Sequence, residues 1–103
     1  MRRARVLVNG VFAGSLTEIE KGGPYEFNYE PGYADRPISL IIPIGQSTYR
    51  FERFPPFFDG LLPEGIMLEG LLRRRKIDQF DYFSQLVSVG NDLVGAVTVE
   101  EES

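Results

Sequence analysis

The sequence predicts a single α+β domain, in which a mainly antiparallel β-sheet is covered by two or three helices. Three observations support this fold class. The first half of the chain alternates apolar and polar residues as strands do, the second half repeats apolar residues at helical spacing, and a last alternating stretch closes the chain. With 103 residues, 43% of them hydrophobic, the chain can build one core, so we treat residues 1–103 as one domain.

A hairpin signal indicates the first two strands. Residues 3–8 and 11–16 are mostly apolar and flank Asn9-Gly10. This dipeptide favours a type I′ turn, because both central positions of that turn need a positive φ.

Three further extended segments follow the hairpin. Residues 25–29 alternate aromatic and polar side chains, which predicts a half-buried strand. Residues 38–42 form a continuous apolar run closed by Pro43, which predicts a more buried strand. Residues 48–52 are expected to form a short strand or an extended loop.

The second half predicts helices. Pro55-Pro56 can open a short helical turn, and a longer helix is expected to start near Pro63, because proline is favourable in a first turn. Arg73–Lys76 suit the negative end of that helix. One apolar stripe at helical spacing runs along it: Met67, Leu68, Leu71 and Leu72.

A further helix and a strand complete the chain. Asp78 is the expected N-cap of this helix, and Gly90 the expected residue after its C-terminus. Residues 93–99 predict the last strand. The core-facing side of the helix is predicted to carry four apolar residues: Phe80, Phe83, Leu86 and Val87.

Composition excludes several function classes. The chain has no histidine and no cysteine, which rules out Ser-His-Asp and Cys-His catalysis, disulfides and thiolate metal sites. It carries no glycine-rich phosphate loop and no kinase catalytic motif. Its net charge of −4 disfavours direct nucleic-acid binding. We therefore predict no enzyme activity and no catalytic, cofactor-binding or metal-binding residues.

Hydropathy places the chain among cytoplasmic proteins. No run of about 18 apolar residues is present, so no membrane-spanning segment is predicted. The basic start, residues 1–6, is not followed by the apolar stretch of a secretory signal.

The segment 57–67 is the most unusual part of the chain. It is strongly apolar, yet it contains a proline, two glycines and two carboxylates. One interpretation is a loop that enters the core and caps a helix. The other is an exposed apolar knuckle that docks on a partner protein, since an apolar anchor on a rigid turn loses little entropy on binding. The predicted partner-binding residues are Leu62, Pro63, Glu64, Gly65, Ile66 and Met67.

Two charged groups have simpler interpretations. Asp59 and Glu64 could act as an acid/base pair, but helix capping accounts for both. The basic run Arg73–Lys76 could bind phosphates or an acidic partner, but a solvated helix end explains it more simply.

Taken in order, several motifs resemble the first N-terminal subdomain of HipA-type Ser/Thr toxin kinases. The matching segments lie at residues 9–16, 25–29, 37–43, 57–64 and 90–97. The patterns P-(I/L)-S-L-x-(I/L)-P, F-F-D-x-L-L-P-(E/D) and G-x-D-x-V-G-A-V are together specific. Kinases of this type continue into a second subdomain and a kinase core that hold the nucleotide loop, metal ligands and catalytic aspartate, so none of those residues carries over.

The resemblance implies two alternative roles. In a split, HipBST-type system, a chain of this kind is similar to HipS, the antitoxin that binds and inhibits a HipT-like kinase toxin. A HipB-like helix-turn-helix protein would join such a complex and contact the DNA. The alternative is a structural subdomain of a longer HipA-like kinase, which supports folding or complex assembly without inhibiting anything.

Overall fold

A computed structural model describes residues 1–46, 48–93 and 95–102. One antiparallel sheet has the strand order β4-β3-β2-β1-β5, and helices cover one of its faces. The predicted α+β fold is confirmed. In chain order the elements are β1 (Arg2–Val8), β2 (Val11–Glu18), β3 (Tyr25–Tyr29), β4 (Thr48–Phe51), α1 (Pro56–Asp59), α2 (Gly65–Arg75), α3 (Tyr82–Val89) and β5 (Val97–Glu101).

The predicted β1–β2 hairpin is present. Its two turn residues have positive φ, 50° at Asn9 and 82° at Gly10, as a type I′ turn requires. The register shifts by one residue between Val6 and Leu7, so a β-bulge bends the hairpin near its tip.

The two faces of the sheet differ in chemistry. The helix-covered face holds buried side chains that alternate along each strand, such as Phe27 of β3. From the helices, Phe58 of α1 and Phe83 of α3 are fully buried against this face, and the rings of Phe27 and Phe58 lie 6.2 Å apart. The open face carries cross-strand ion pairs, including Arg5–Glu100 at 3.1 Å.

The predicted strand over residues 38–42 is wrong. These residues form a tight turn closed by a single bridge between Ser39 and Ile42. The hydroxyl of Tyr29 accepts a hydrogen bond from the Ile38 amide at 3.1 Å and donates one to the Ile42 carbonyl. One side chain thus holds both ends of the turn together, which prevents an extended conformation.

The last strand begins later than predicted, at Val97. Gly95 has a φ of +104°, a conformation that interrupts an extended run before β5. Val94, inside the predicted strand 93–99, lies outside the described residues.

The third helix also begins later than predicted. Its N-cap is Asp81, whose carboxylate accepts the Ser84 amide at 3.1 Å, whereas Asp78 caps the preceding turn through the Phe80 amide. Because Phe80 precedes the helix, it is 66% exposed instead of facing the core. Gly90 directly follows the helix, as predicted, and has ordinary right-handed φ and ψ.

Candidate protein-docking site

The segment that leads into the predicted knuckle is fixed to the core. Phe58 of α1 is fully buried. Backbone hydrogen bonds then continue past the helix, from the Leu61 amide to the Phe58 carbonyl at 3.0 Å and from the Leu62 amide to the Asp59 carbonyl at 3.1 Å. The chain therefore reaches the knuckle, which we define as Leu62–Met67, from a rigid base.

The chain turns sharply at the centre of the knuckle. Glu64 is extended, with φ −128° and ψ 164°, and Gly65 has a φ of +58°. Nothing lies within 4 Å of where a Cβ of Gly65 would be, so glycine is favoured here by its backbone conformation and not by crowding. Helix α2 starts at this residue, two residues later than the proline that was expected to open it.

The turn leaves two large apolar side chains in solvent. Ile66 is 82% exposed and Met67 is 70% exposed. Of the predicted stripe, Leu71 is buried, and Leu68 and Leu72 are half-buried. Helix α2 therefore contacts the core through its later turns, and Met67, the first residue of the predicted stripe, lies outside this contact.

Two open apolar grooves adjoin the knuckle. One, of about 370 Å³, is lined by Met67 together with Leu61, Val89 and Leu93 among others. The other, of about 250 Å³, lies on the other side of Leu61. Its walls come from the segment before the Ser39–Ile42 turn, from α1 and from the start of β5: Arg36, Pro37, Ile38, Phe57 and Gly95–Val97.

The charged groups near the knuckle do not form a reaction centre. Asp59 and Glu64 are both exposed, so neither sits in the low-dielectric environment that tunes a catalytic carboxylate. Within the described ranges, no group of three or more acidic residues is placed to hold a metal ion. The basic run Arg73–Lys76 is exposed at the end of α2, at the C-terminal end of the helix dipole.

Among the described residues, the densest charge network surrounds Arg2, at the start of β1. Arg2 donates to Glu18 at 2.6 Å and to Asp81 at 2.8 Å, and its guanidinium lies 4.8 Å from the centre of the Phe83 ring.

Burial opposes ionisation of Asp81, but hydrogen bonds from Arg2 and Ser84 outweigh it and lower the pKa of Asp81. Burial, with the negative charge of Glu18 nearby, raises the pKa of Tyr25 to about 12. This network joins β1, β2 and α3 and has a structural role.

A second exposed apolar pair was missed by the sequence reasoning. Leu40 is 92% exposed and Ile41 is 71% exposed, at the tip of the Ser39–Ile42 turn. Prolines at positions 37 and 43 flank this turn, and they are the signal that argued against a strand.

Comparison with known proteins identifies the family. Residues 4–100 match the family model described as HipA N-terminal domain. The chain belongs to this family. Across its whole length it is also similar to a solved structure titled "N-terminal domain of HipA toxin", with 31% identity, a TM-score of 0.78 and coverage of 94% of that chain.

Two sequence relatives show the HipA N-terminal domain in different settings. An uncharacterized protein of Haemophilus influenzae is 35% identical over 99% of this chain and 94% of its own length. A putative kinase of Sinorhizobium fredii, Y4dM, is 34% identical over 91% of this chain, which corresponds to 25% of the kinase. The domain thus occurs both in a protein of similar size and as part of a much longer one.

The matched domain is the N-terminal part of HipA proteins and not their kinase catalytic domain. Among the described residues, no helix is long and apolar enough to span a membrane.

Proposed function

We propose that this HipA N-terminal domain is a HipS-like antitoxin that binds and inhibits a HipT-like Ser/Thr kinase toxin, without enzyme activity of its own. The observation that carries the proposal is the exposure of Ile66 and Met67 directly after the Gly65 turn. The family context supports it, because a relative of this domain forms a quarter of a putative kinase. We therefore expect a domain of this family to bind the body of such a kinase.

The proposed mechanism is steric. Kinases close their lobes around the nucleotide during turnover. An apolar side chain on a rigid turn can insert between the lobes and oppose this closure. Burying Ile66 in such a cleft would contribute about 1.5–3 kcal/mol, equivalent to about one to two powers of ten in affinity. The turn is already fixed in the free protein, so little conformational entropy is lost on binding.

The proposal also includes the compartment of the complex and its DNA-binding component. The complex forms in the cytoplasm, and a HipB-like helix-turn-helix protein joins it where operator DNA is contacted. This chain does not contact DNA itself, because its net charge of −4 opposes binding to a polyanion.

A second candidate function is a structural subdomain that supports assembly of a HipA-like kinase without inhibiting it. This chain matches only a quarter of the putative kinase, which favours this alternative because a subdomain of a longer protein would match in this way. Under this alternative the domain still binds the kinase body, but the exposed knuckle does not lower kinase activity.

The test uses Ile66→Asp and Met67→Asp, each measured against a HipA-type kinase core from the same genome that lacks its own copy of this domain. We expect at least one variant to remain folded, by circular dichroism, and to lose inhibition by about 10-fold or more. Phe80→Asp is the matched control, since Phe80 is also an exposed apolar residue but lies outside the knuckle.

Two outcomes would contradict the antitoxin role, and a third would contradict the role of the knuckle in it. Absence of a complex at micromolar concentrations removes the proposed partner. A complex with full kinase activity supports the structural alternative. If both knuckle variants fold and inhibit normally, inhibition does not depend on the knuckle.

A further inference from the structure

The knuckle is too small to be the whole interface. A stable protein–protein interface buries about 800 Å² per partner and involves about 20–30 residues on each side, whereas the knuckle has six residues, two of which are largely exposed apolar side chains, Ile66 and Met67. A partner that binds the knuckle must therefore also cover a neighbouring surface.

The two grooves extend the apolar surface of the knuckle toward the Ser39–Ile42 turn. The groove beside Met67 and the groove beside Ile38 share Leu61. Apolar side chains thus continue from the knuckle across Leu61 to Ile38. The Ser39–Ile42 turn starts at the next residue and exposes Leu40 and Ile41.

This turn is rigid in the free protein. Besides the two hydrogen bonds of the Tyr29 hydroxyl, the Ile42 amide donates to the Ser39 carbonyl at 3.1 Å, and the Ile41 amide donates to the Ser39 hydroxyl at 3.2 Å. The residues on either side of the exposed pair, Ile38 and Ile42, are 5% and 2% exposed. Leu40 and Ile41 are therefore held outward by a core-anchored frame and do not lie on a loose loop.

We propose that Leu40 and Ile41 form a second docking point for the same kinase partner, which receives them in an apolar pocket outside its active-site cleft. This inference rests on the proposed function and adds a division of labour to it. The knuckle inhibits and contributes part of the affinity, whereas the Ser39–Ile42 turn contributes affinity alone. Preorganised apolar anchors of this kind contribute to affinity efficiently, because they lose little conformational entropy when they are buried.

The variants Leu40→Asp and Ile41→Asp test the second docking point, with Ile66→Asp measured in parallel. Both turn residues are exposed, so folding and thermal stability should stay unchanged. Binding to the same kinase core is measured by calorimetry, and inhibition by a titration of kinase activity. We expect the turn variants to weaken the Kd by about 10- to 100-fold while still inhibiting fully at saturation. Ile66→Asp should weaken the Kd as well and, unlike the turn variants, should lower the maximal inhibition.

Controls keep the outcomes separate. Phe80→Asp adds the same charge at another exposed apolar position and should leave the Kd unchanged. Leu40→Ser and Ile41→Ser remove the apolar side chains without adding charge. If lost burial is the cause, the position whose aspartate variant weakens binding more should also be the one whose serine variant weakens it more. These two variants also decide the question if an aspartate at either position disturbs folding.

The possible results point to different errors. If the turn variants bind as tightly as the unchanged protein while Ile66→Asp loses inhibition, the second docking point is wrong and the proposed function stands. If the unchanged protein does not bind the kinase core, both proposals fail. If sedimentation shows a dimer of this chain that dissociates in Leu40→Asp, the turn contacts a second copy and the inference is overturned.

Discussion

Arg2 shows how a single residue can join three elements of this domain. It lies on β1, and its guanidinium contacts Glu18 of β2, Ser84 of α3 and Asp81, the N-cap of α3. Glu18 is almost fully buried and also accepts from the Gly22 amide at 3.2 Å. A buried carboxylate needs such partners, because leaving it unpaired costs several kcal/mol. The network therefore fixes the position of α3 on the sheet.

The lowered pKa of Asp81 predicts a loss of stability in acid. A carboxyl whose pKa is lower in the folded state stabilises the fold above the pKa of a free aspartate, about 3.9, and this contribution is lost as the pH falls through the folded value. Asp81→Asn keeps the helix cap, since asparagine caps equally well, but removes the charge that pairs with Arg2. We expect it to reduce the free energy of unfolding at pH 7 by about 1.5–3 kcal/mol.

Urea unfolding of both proteins between pH 7 and pH 2 measures this effect. The stability difference should shrink as the pH is lowered, because protonation of Asp81 removes the same charge. Asp92→Asn, at an exposed position, is the control and should change stability little at either pH. A difference that stays constant with pH would show that the Arg2–Asp81 charge pair is not its source.

At the level of elements, the Ser39–Ile42 turn shows what periodicity could not predict. A short run of five residues, four of them apolar, fits a buried strand as well as a turn, because no alternation distinguishes the two. The deciding contact comes from Tyr29, which is 9 and 13 residues away from its two partners. The Asn9-Gly10 hairpin was predicted correctly because its signal is local, whereas the turn depends on a tertiary hydrogen bond.

Glycine at position 90 joins α3 to the sheet for a reason that the sequence did not reveal. The Val99 amide of β5 donates to the Gly90 carbonyl at 3.0 Å, so the helix end lies directly on the edge strand. A Cβ at this position would lie 1.7 Å from the Val99 carbonyl oxygen. The sequence predicted a glycine directly after the helix, and close backbone approach is the reason that this position requires one.

Gly90→Ala is therefore expected to separate α3 from β5. We expect a loss of about 3 kcal/mol in the free energy of unfolding, at the upper end of what overpacking costs, because backbone atoms must move. Urea unfolding measures the loss. Gly45→Ala is the matched control: nothing lies within 4 Å of its Cβ position and its φ is not positive. Equal stability of the two variants would contradict the close approach.

At the scale of the whole molecule, apolar and charged surfaces are separated. The open sheet face carries paired charges, such as Arg3–Glu102 at 3.7 Å and Arg50–Glu26 at 3.6 Å, and these pairs leave little attraction for a partner. Exposed apolar side chains occur in adjacent pairs at the knuckle and at the Ser39–Ile42 turn, and singly at Met1, Val11 and Phe80. An exposed apolar knuckle was one of the two interpretations of its sequence, but the grooves between the two sites depend on tertiary packing and could not be predicted.

The same charge distribution predicts that the isolated protein binds DNA only weakly. The net charge is −4, and the arginines of the open sheet face are held by carboxylates, so Arg73–Lys76 is the main exposed cation cluster in the described part of the chain. We expect a Kd of about 10⁻⁴ M or weaker for a mixed-sequence duplex at physiological salt, measured by fluorescence anisotropy. Tight binding with a steep salt dependence, abolished by Arg73→Ala with Arg74→Ala but not by Arg3→Ala with Arg5→Ala, would show that the end of α2 is a phosphate site.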